Sequence, residues 1–360
     1  METKPAPVVV RNRFINASAE HTEPAYDSGA VAAGTELNNI EVPAYGYLAS
    51  LLVQVDVVSS GNSATVALRE DGPFNIISNI RLSDVNGANI IGPMTGWDLY
   101  LANKYGGYSF SGDPTLSPSY SQSLATNGAT AGSESFLLRI PVQINPRDAY
   151  GALPNMNAAS TFKLNISLAT LANAFATPPN GAVTVRVRVT LEAWMLPAGA
   201  DAFGNPNEQA PPGVGSYQRW VKNTFTVNNG ANTFRLPNVG NLIRNLVFVF
   251  RNASPARVDT TFMDPIQLSV DGVTVLLHAR AIQKHYMQER YGYTGAAIDT
   301  GVYAFPYCQE LDGKPGFETR ELYMRTNQAT RLELTGTTSA AGTLDVLTND
   351  VIPVGNPVAA

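Results

Sequence analysis

The segment NIEVPAYGYLASLLVQVDV, residues 39–57, decides the fold because the chain contains a second version of it. Residues 233–251 read TFRLPNVGNLIRNLVFVFR, and Pro43 aligns with Pro237 at an offset of 194 residues. The further pairs at that offset are Gly46–Gly240, Leu48–Leu242, Leu52–Leu246, Val53–Val247 and Val55–Val249. A match of this kind predicts a diverged internal duplication.

The match continues on both sides of this segment. Upstream, VRNRF at 10–14 resembles VKNTF at 221–225, and downstream IRLS at 80–83 resembles IQLS at 266–269, where the offset has dropped to 186. Tyr100, Tyr105 and Gly106 then align with Tyr286, Tyr291 and Gly292. The repeat has the size of a domain, so two similar domains in tandem are predicted.

The composition is consistent with two domains and narrows the classes of function that the protein could have. A chain of 360 residues corresponds to about two domains. Only 15% of its residues are charged, against about 25% in ordinary soluble domains, and its net charge is −5. Without a basic excess, no direct contact with nucleic acid is expected. Low charge instead suits a protein with extensive interfaces, whose cores are depleted in charged residues.

The cysteine content and the N-terminal sequence indicate the cellular compartment in which the protein is made and folded. Cys308 is the only cysteine, so no intrachain disulfide is possible. Residues 1–16, METKPAPVVVRNRFIN, lack the apolar run of a signal peptide. Synthesis and folding in a cytoplasm are therefore predicted.

Alternating and β-branched segments predict strands along most of the chain. The clearest is 183–194, where valines alternate with threonines and arginines. In the first half, further strands are predicted at 8–15, 37–42, 47–58, 63–69, 75–83, 88–91, 136–144 and 161–168, with a loop at 16–36. In the second half they are predicted at 219–227, 233–236, 241–251, 257–263, 266–270, 273–277, 317–325, 329–334 and 343–347.

Each half also contains one segment with helical spacing. Met94, Trp97, Leu101 and Tyr105 recur at helical intervals, and a second helix is predicted over 278–290. Long loops follow at 106–134 and 292–316. The Pro- and Gly-rich stretch 199–217 is predicted to be a linker between a first domain, 1–198, and a second, 218–360.

The predicted fold class is all-β. Eight or nine strands with long connections indicate a sandwich, and eight strands in two sheets make a jelly roll. The sequence thus predicts two tandem eight-stranded jelly rolls, each with a short helix between strands F and G.

The duplicated segments and the matched helices resemble the double jelly-roll major capsid proteins of tailless, membrane-containing icosahedral viruses, most closely the tectivirus-like bacteriophages. The resemblance implies a structural virion protein that forms homotrimeric, pseudo-hexagonal capsomers of an icosahedral phage shell. It implies as partners further copies of the chain, minor capsid and vertex proteins, and an internal lipid membrane beneath the N-terminal arm. In such a trimer the two repeats would be related by a rotation of about 60°.

Two features of the loops and the N-terminal arm bear on this resemblance. Members of the family often begin with a membrane-facing helix, whereas Pro5 and Pro7 oppose one here, and Lys4, Arg11 and Arg13 remain to meet anionic head groups. Loop tyrosines are expected at exposed or inter-subunit contacts, where a ring buries area and keeps a hydrogen bond. They are Tyr105, Tyr108, Tyr120, Tyr291, Tyr293, Tyr303 and Tyr307.

Candidates for chemistry are few. His278, His285 and Glu289 could share a helix face and bind a metal, and Asp264, Asp271 and Asp299 could form a calcium site. The carboxylates that could pair for glycoside hydrolysis are Glu134, Asp148, Glu192, Asp259 and Asp264. Each set is better explained as ordinary polar surface, and Cys308 as a buried inert thiol. No enzyme activity, cofactor, metal or catalytic residue is predicted.

Two alternative functions remain open from the sequence. The first is a two-domain β-sandwich that binds carbohydrate or serves as a receptor-binding spike, with Trp97, Trp194 and Trp220 as a stacking platform. The second is a jelly-roll hydrolase with carboxylates facing each other between the domains. A cupin-like enzyme is disfavoured because the chain has no His-x-His pair.

Overall fold

The computed structural model describes residues 11–60, 65–108, 112–126, 131–293, 297–308 and 323–352. The helices are α1 (Phe14–Ala17), α2 (Gly96–Gly106), α3 (Leu171–Ala174) and α4 (Arg280–Tyr291). The strands up to residue 194 are β1 (Glu20–Asp27), β2 (Val31–Ala32), β3 (Glu36–Glu41), β4 (Tyr47–Ser59), β5 (Ala67–Leu68), β6 (Ile77–Ser83), β7 (Asn89–Met94), β8 (Ser121–Ser123), β9 (Gly132–Pro141), β10 (Leu153–Pro154), β11 (Lys163–Leu168), β12 (Phe175–Thr177) and β13 (Val183–Trp194). The later strands are β14 (Tyr217–Val227), β15 (Gly230–Leu236), β16 (Leu242–Asn252), β17 (Ile266–Val270), β18 (Val273–His278), β19 (Val302–Pro306), β20 (Met324–Arg325), β21 (Leu332–Thr338) and β22 (Gly342–Ile352).

Both halves of the chain are jelly rolls, as predicted. Lettered B to I in chain order, the principal strands of the first unit are β1, β3, β4, β6, β7, β9, β11 and β13. Their hydrogen bonds give the sheet orders β1-β13-β4-β9 and β7-β6-β11-β3, which are B-I-D-G and F-E-H-C. In the second unit the same letters belong to β14–β19, β21 and β22, in the orders β14-β22-β16-β19 and β18-β17-β21-β15. Helices α2 and α4 both lie between strands F and G.

The two units are joined along one strand edge. Strand F of the first unit, β7, pairs in parallel with strand B of the second, β14, at Ile91 and Trp220. This pairing fuses the F-E-H-C sheet of the first unit with the B-I-D-G sheet of the second into one continuous sheet. We call this contact, together with the packing of α2 against the second unit, the junction.

The second unit turns one sheet face toward its own core and the other toward the first unit. Leu246, Phe248 and Phe250 of β16 belong to the core of the second unit. The alternating residues Val247 and Val249 belong to the core of the first unit instead. A strand covered on both faces is expected to be apolar throughout, which explains the sequence LVFVF at 246–250.

The aligned opening segments differ in register by one residue. In β4 the extra residue of a β-bulge is Ala49, between the paired residues Leu48 and Ser50, whereas in β16 it is Arg244. Matching the bulges gives an offset of 195, not 194, so Val53 corresponds to Phe248 and not to Val247. A shift of one residue exchanges the two faces of a strand. The predicted strand pairs at offset 194 are therefore wrong as structural equivalents: Leu48–Leu242, Leu52–Leu246, Val53–Val247 and Val55–Val249.

Several predicted strand positions are also wrong. Residues 14–17 are helical, and β1 lies within the predicted loop at 16–36. Because β1 and β14 each pair with the last strand of their own unit, it is β1, and not 10–14, that corresponds to β14. No strand forms at 257–263, where only Arg257 makes an isolated bridge. Strand β19 lies within the predicted loop at 292–316.

Other predictions lie wholly or partly outside the described residues, including most of the strand at 317–325 and residues 1–10 of the N-terminal arm. Among the residues that are described, no helix has both the length and the apolar character needed to cross a membrane.

Trp220 occupies the junction and is fully buried. We expect Trp220→Ala to lower the free energy of unfolding by about 3–5 kcal/mol, because a large core side chain is lost. Since this residue packs one unit on the other, calorimetry should also show the single transition splitting into two. Trp194→Ala, away from the junction in a separate cluster, is the control and should keep one transition. Identical melting behaviour of the two variants would contradict a coupling role for Trp220.

Candidate assembly surfaces

Helix α2 is the element on which the junction is built, and all of its residues are buried. Its N-terminus is closed by a capping box: Thr95 Oγ1 accepts from the Asp98 backbone N–H at 3.2 Å, and the Thr95 N–H donates to the Asp98 carboxylate at 2.9 Å. Lys222 of β14 donates to the same carboxylate at 2.9 Å. The second unit therefore contacts the helix at its very first turn.

The C-terminal carbonyls of α2 are satisfied by side chains of the second unit. Helix ends leave their last carbonyls without partners in the helix, and a buried end needs other donors. Four such bonds, between 2.7 and 3.0 Å, run from Tyr293 to the Lys104 carbonyl, from Tyr291 and Asn245 to the Tyr105 carbonyl, and from Arg244 to the Gly106 carbonyl. Without the second unit these acceptors would have to face water.

A buried cation lies in the same helix. Lys104 is 2% exposed, and its Nζ is 2.8 Å from an Asp113 carboxylate oxygen and 2.9 Å from one of Asp299. It also donates to the Ala297 carbonyl at 2.7 Å and to the Tyr100 hydroxyl at 3.0 Å. Asp113 comes from the first unit and Asp299 from the second, so one ammonium group connects both units.

Proton equilibria in this cluster favour the charged carboxylate and the neutral phenols. Burial by itself would raise the pKa of Asp113, but the hydrogen bond and charge of Lys104 outweigh it and hold that pKa below its usual value. Burial, together with the charges of Asp299 and Asp113, raises the pKa of Tyr100 far above its usual value. The Tyr100 and Tyr105 hydroxyls therefore stay protonated and donate to Asp113 and Asp299.

A second group of charges crosses the junction at the other end of α2. Arg251 lies 2.8 Å from the Asp71 carboxylate, and Arg257 lies 3.3 Å from the same group. The Arg257 guanidinium also stacks 4.2 Å above the ring of Trp97. Both arginines belong to the second unit and both of their partners to the first, so hydrogen bonds and ion pairs extend along the whole helix.

Helix α4, the equivalent of α2, is in a different environment. Only Gln283 and Met287 are buried in it, and its outward side carries exposed polar and apolar residues. Adjacent β18 is the edge strand of its sheet and is exposed at Val273, Val275 and Leu277. The same elements that are buried at the junction in the first unit are open in the second.

The metal candidates do not form a binding site. His285 and Glu289 form an exposed pair at 3.1 Å, while His278 contacts Gln283 instead. Asp264 pairs with Arg280, and Asp271 accepts from Thr330 and Arg331. Within the residues that the structure describes, no group of three or more potential metal ligands occurs.

The carboxylates considered for catalysis have separate partners. Glu192 pairs with Arg139, Asp259 with Lys284 and Asp264 with Arg280. Asp148 accepts from the Tyr150 N–H, and Glu134 is buried in β9. No two of them contact each other in the described structure, so the geometry gives no support to a carboxylate pair.

The predictions for the aromatic residues are partly right and partly wrong. Trp97, Trp194 and Trp220 are all buried, which makes the proposed sugar-stacking platform wrong and the core interpretation right. Tyr105, Tyr291 and Tyr293 lie inside the junction and Tyr303 in the core of the second unit, so the prediction of exposed contacts is wrong for these four. Cys308 is buried and forms no disulfide, as predicted.

Of the residues that hold the junction, the sequence did not single out Lys104 or Asp113, and it suggested Asp299 only as a calcium ligand. Their only signal in the sequence is a lysine within an otherwise uncharged helical run, LYLANKYG at 99–106. Such a lysine is buried only when it has partners.

Lys104→Met should destabilise the protein by about 3–5 kcal/mol, because it leaves two buried carboxylates without their cation. Adding Asp113→Asn and Asp299→Asn to it should recover much of the loss. Arg186→Met is the control: it breaks the exposed pair with Asp27 and should change stability little. Urea unfolding of the four proteins measures this, and equal losses for Lys104→Met and Arg186→Met would contradict a structural role for the cluster.

Glu134 should give the protein a pH-dependent stability. Burial raises the pKa of this carboxyl to about 7 from an ordinary 4.5. Because the folded state holds the proton more tightly, the contribution is complete below pH 4.5 and is lost as the pH rises through about 7. Glu134→Gln should remove this loss in melting curves recorded across that range, and Glu36→Gln, at an exposed position, should not. An unchanged pH slope in Glu134→Gln would refute the assignment.

Comparisons with known proteins identify the architecture. No protein-family model matches the sequence. No curated protein matches it either. Among solved structures, the major capsid protein of STIV, the Sulfolobus turreted icosahedral virus, aligns with a TM-score of 0.68 at 13% identity over 95% of this chain and 99% of that chain. A PBCV-1 capsid chain gives 0.61 at 13% identity over 96% and 95% of the two chains.

The major capsid protein of bacteriophage PM2 aligns with a TM-score of 0.54 at 12% identity, over 94% of this chain and 99% of that chain. At such identities the similarity concerns the fold. Because a Sulfolobus virus and a bacteriophage share it, the fold does not single out the tectivirus type. The chain has the double jelly-roll fold of these major capsid proteins.

Proposed function

We propose that this chain is the major capsid subunit of an icosahedral virus and acts as a homotrimeric, pseudo-hexagonal building block of the shell. The observation that carries the proposal is the junction. It fixes two jelly rolls side by side within one chain, and together the two units account for almost the whole chain. Three such chains provide six similar units, the number that a hexagonal lattice position requires. The similarity to capsid proteins over 95% of the chain supports the same conclusion.

The remaining expectations become part of this proposal. We place the domain boundaries at 1–198 and 218–360, with the linker 199–217 between them. The linker is not free chain, since Asn12 bridges to Asn207 and the Tyr47 hydroxyl donates to the Gln209 carbonyl. Exposed Arg11 and Arg13 lie beside it and are suited to anionic lipid head groups. A phage host, vertex partners and an internal membrane belong to the proposal on the resemblance alone.

We also propose that the protein acts by assembly and not by catalysis. Charged groups of the described chain connect the two units: buried Lys104 and the partly buried Lys222 and Arg257 each pair with carboxylates across the junction. A structural protein needs its two units in a fixed arrangement, while a site for glycoside hydrolysis would need two facing carboxylates in an accessible cleft.

Light scattering of the purified full chain during gel filtration tests the oligomeric state. We expect a particle of three times the 38.4 kDa chain mass. Negative-stain electron microscopy should show a hexagonal outline with six lobes, because each chain contributes two units. A protein that remains monomeric at every concentration that can be reached would overturn the proposal without affecting the fold.

A further inference from the structure

The junction is a template for a second contact that the isolated chain leaves unmade. In the junction, strand F and helix α2 of the first unit are covered by strand B of the second unit and by the outward face of its B-I-D-G sheet. The two strand edges of the same kind that remain are strand F of the second unit, β18, and strand B of the first, β1. Both are edges of their sheets among the residues that the structure describes. Exposed edges are normally covered or paired.

The open surface of the second unit, here called surface A, consists of β18 and the outward side of α4. It carries five exposed apolar residues: Val273 (68% exposed), Val275 (50%), Leu277 (56%), Ile282 (47%) and Tyr286 (39%). A hollow of about 310 Å³ lies between the strand and the helix, lined by Leu276, His278 and Tyr286 among others. Adjacent exposed apolar side chains around a hollow are typical of a protein contact surface.

In the junction, the corresponding position is filled by Trp220. This side chain is fully buried, it is the residue paired with Ile91 of β7, and it packs against the end of α2 near Gly106. The register of β6 with β7 and of β17 with β18 makes Leu276 the equivalent of Ile91. Leu276 lines the hollow, so the hollow is the second unit's version of the Trp220 site.

The matching surface on the first unit, surface B, is the outward face of β1, β13, β4 and β9. The register of the bulges makes Thr22 the equivalent of Trp220, since both pair with equivalent positions, Glu192 and Asn349. On this face Leu52 and Leu137 are half-buried, and a pocket of about 170 Å³ opens beside Arg139 and Glu192. Its equivalent in the second unit, around Asn245, receives the C-terminal end of α2.

We infer that surface A of one chain binds surface B of a second copy of the same chain, with β1 of that copy lying parallel to β18 as β14 lies parallel to β7. This inference rests on the proposed function and gives its trimer a defined interface. Because A and B are different surfaces, the contact is head-to-tail, and it closes into a ring when three chains have joined.

Charges on the two surfaces would set the register of this contact. The His285–Glu289 pair lies on surface A, and the pairs Arg139–Glu192 and Arg188–Asp56 lie on surface B. All of them are partly or fully exposed in the isolated chain. Charges at the rim of an interface determine partner and orientation more than affinity.

Two double variants test the inference by sedimentation velocity. Val275→Asp with Ile282→Asp disables surface A, and Thr22→Arg with Thr190→Arg disables surface B. Each variant alone should be monomeric. A mixture of the two should form a heterodimer and no trimer, because only one A–B contact remains intact. The control variants Val85→Asp and Asn38→Arg, at exposed positions on neither surface, should remain trimeric like the unaltered chain.

The possible results separate the two proposals. If the unaltered chain is trimeric and both surface variants are also trimeric, the interface is wrong while the capsid proposal stands. A dimer formed by either variant alone would refute the head-to-tail geometry. If the unaltered chain is monomeric, the capsid proposal itself fails.

A cross-link keeps the test decisive if the surface variants fold poorly. Thr22→Cys with Leu276→Cys places thiols at the equivalents of Trp220 and Ile91, and the native Cys308 is buried. Mild oxidation should produce disulfide-linked dimers and trimers on a non-reducing gel, since paired residues of neighbouring strands lie within disulfide range. Either single variant should stay uncross-linked. A double variant that also stays uncross-linked would contradict the proposed pairing of β1 with β18.

Discussion

The structure depends on burying a whole helix between two β-sandwiches. The residues of that helix are buried, so its terminal N–H and C=O groups need partners in the protein. The capping box at Thr95 serves one end from within the helix, whereas the side-chain donors described at the last carbonyls come from the second unit. The two units therefore cannot separate without exposing backbone groups, and their relative position is fixed by hydrogen bonds as well as by apolar packing.

The buried charges add specificity to this arrangement more than they add stability. Removing Lys104, Asp113 and Asp299 from water costs free energy that their mutual attraction at 2.8–2.9 Å repays only in part. Apolar residues of similar volume could give equal stability but would allow the units to slide. One ammonium group between carboxylates from both units is satisfied in only one relative position of the units. We regard the fixing of that position as the role of the cluster.

The sequence was sufficient for the architecture because strand alternation and helical spacing are local signals. Residues 183–194 and both helices follow those patterns and lie where they were predicted. Strand β1, EHTEPAYD, was missed because a proline and polar residues conceal a strand that is half-exposed at a sheet edge. The predicted alignment of the two repeats was off by one residue because a β-bulge has no local sequence signal. The apolar run at 246–250 also allowed an equally good match with either face of the strand turned inward.

The site was harder to predict than the fold because its parts are distant in sequence. Lys104 and the carbonyl of Ala297 are 193 residues apart, and neither position is unusual by itself. The candidates that the sequence did suggest, such as His285 with Glu289, were residues of reactive type that prove to lie in ordinary surface pairs. Residues that join two sheets have no reactive signature in the sequence, so they are recognised only once the sheets have been placed together.

Divergence between the two repeats follows from when each contact forms. The outward face of the second unit is covered during folding of its own chain, and it can therefore carry Val247, Val249 and Trp220. The equivalent face of the first unit is partly exposed to water in the described chain, and it carries Gln54, Thr22 and the Arg139–Glu192 pair instead. An apolar face in that position would aggregate before it assembled. If the proposed contact between copies forms, the polarity of the first repeat is what allows a duplicated contact to be permanent within a chain and delayed between chains.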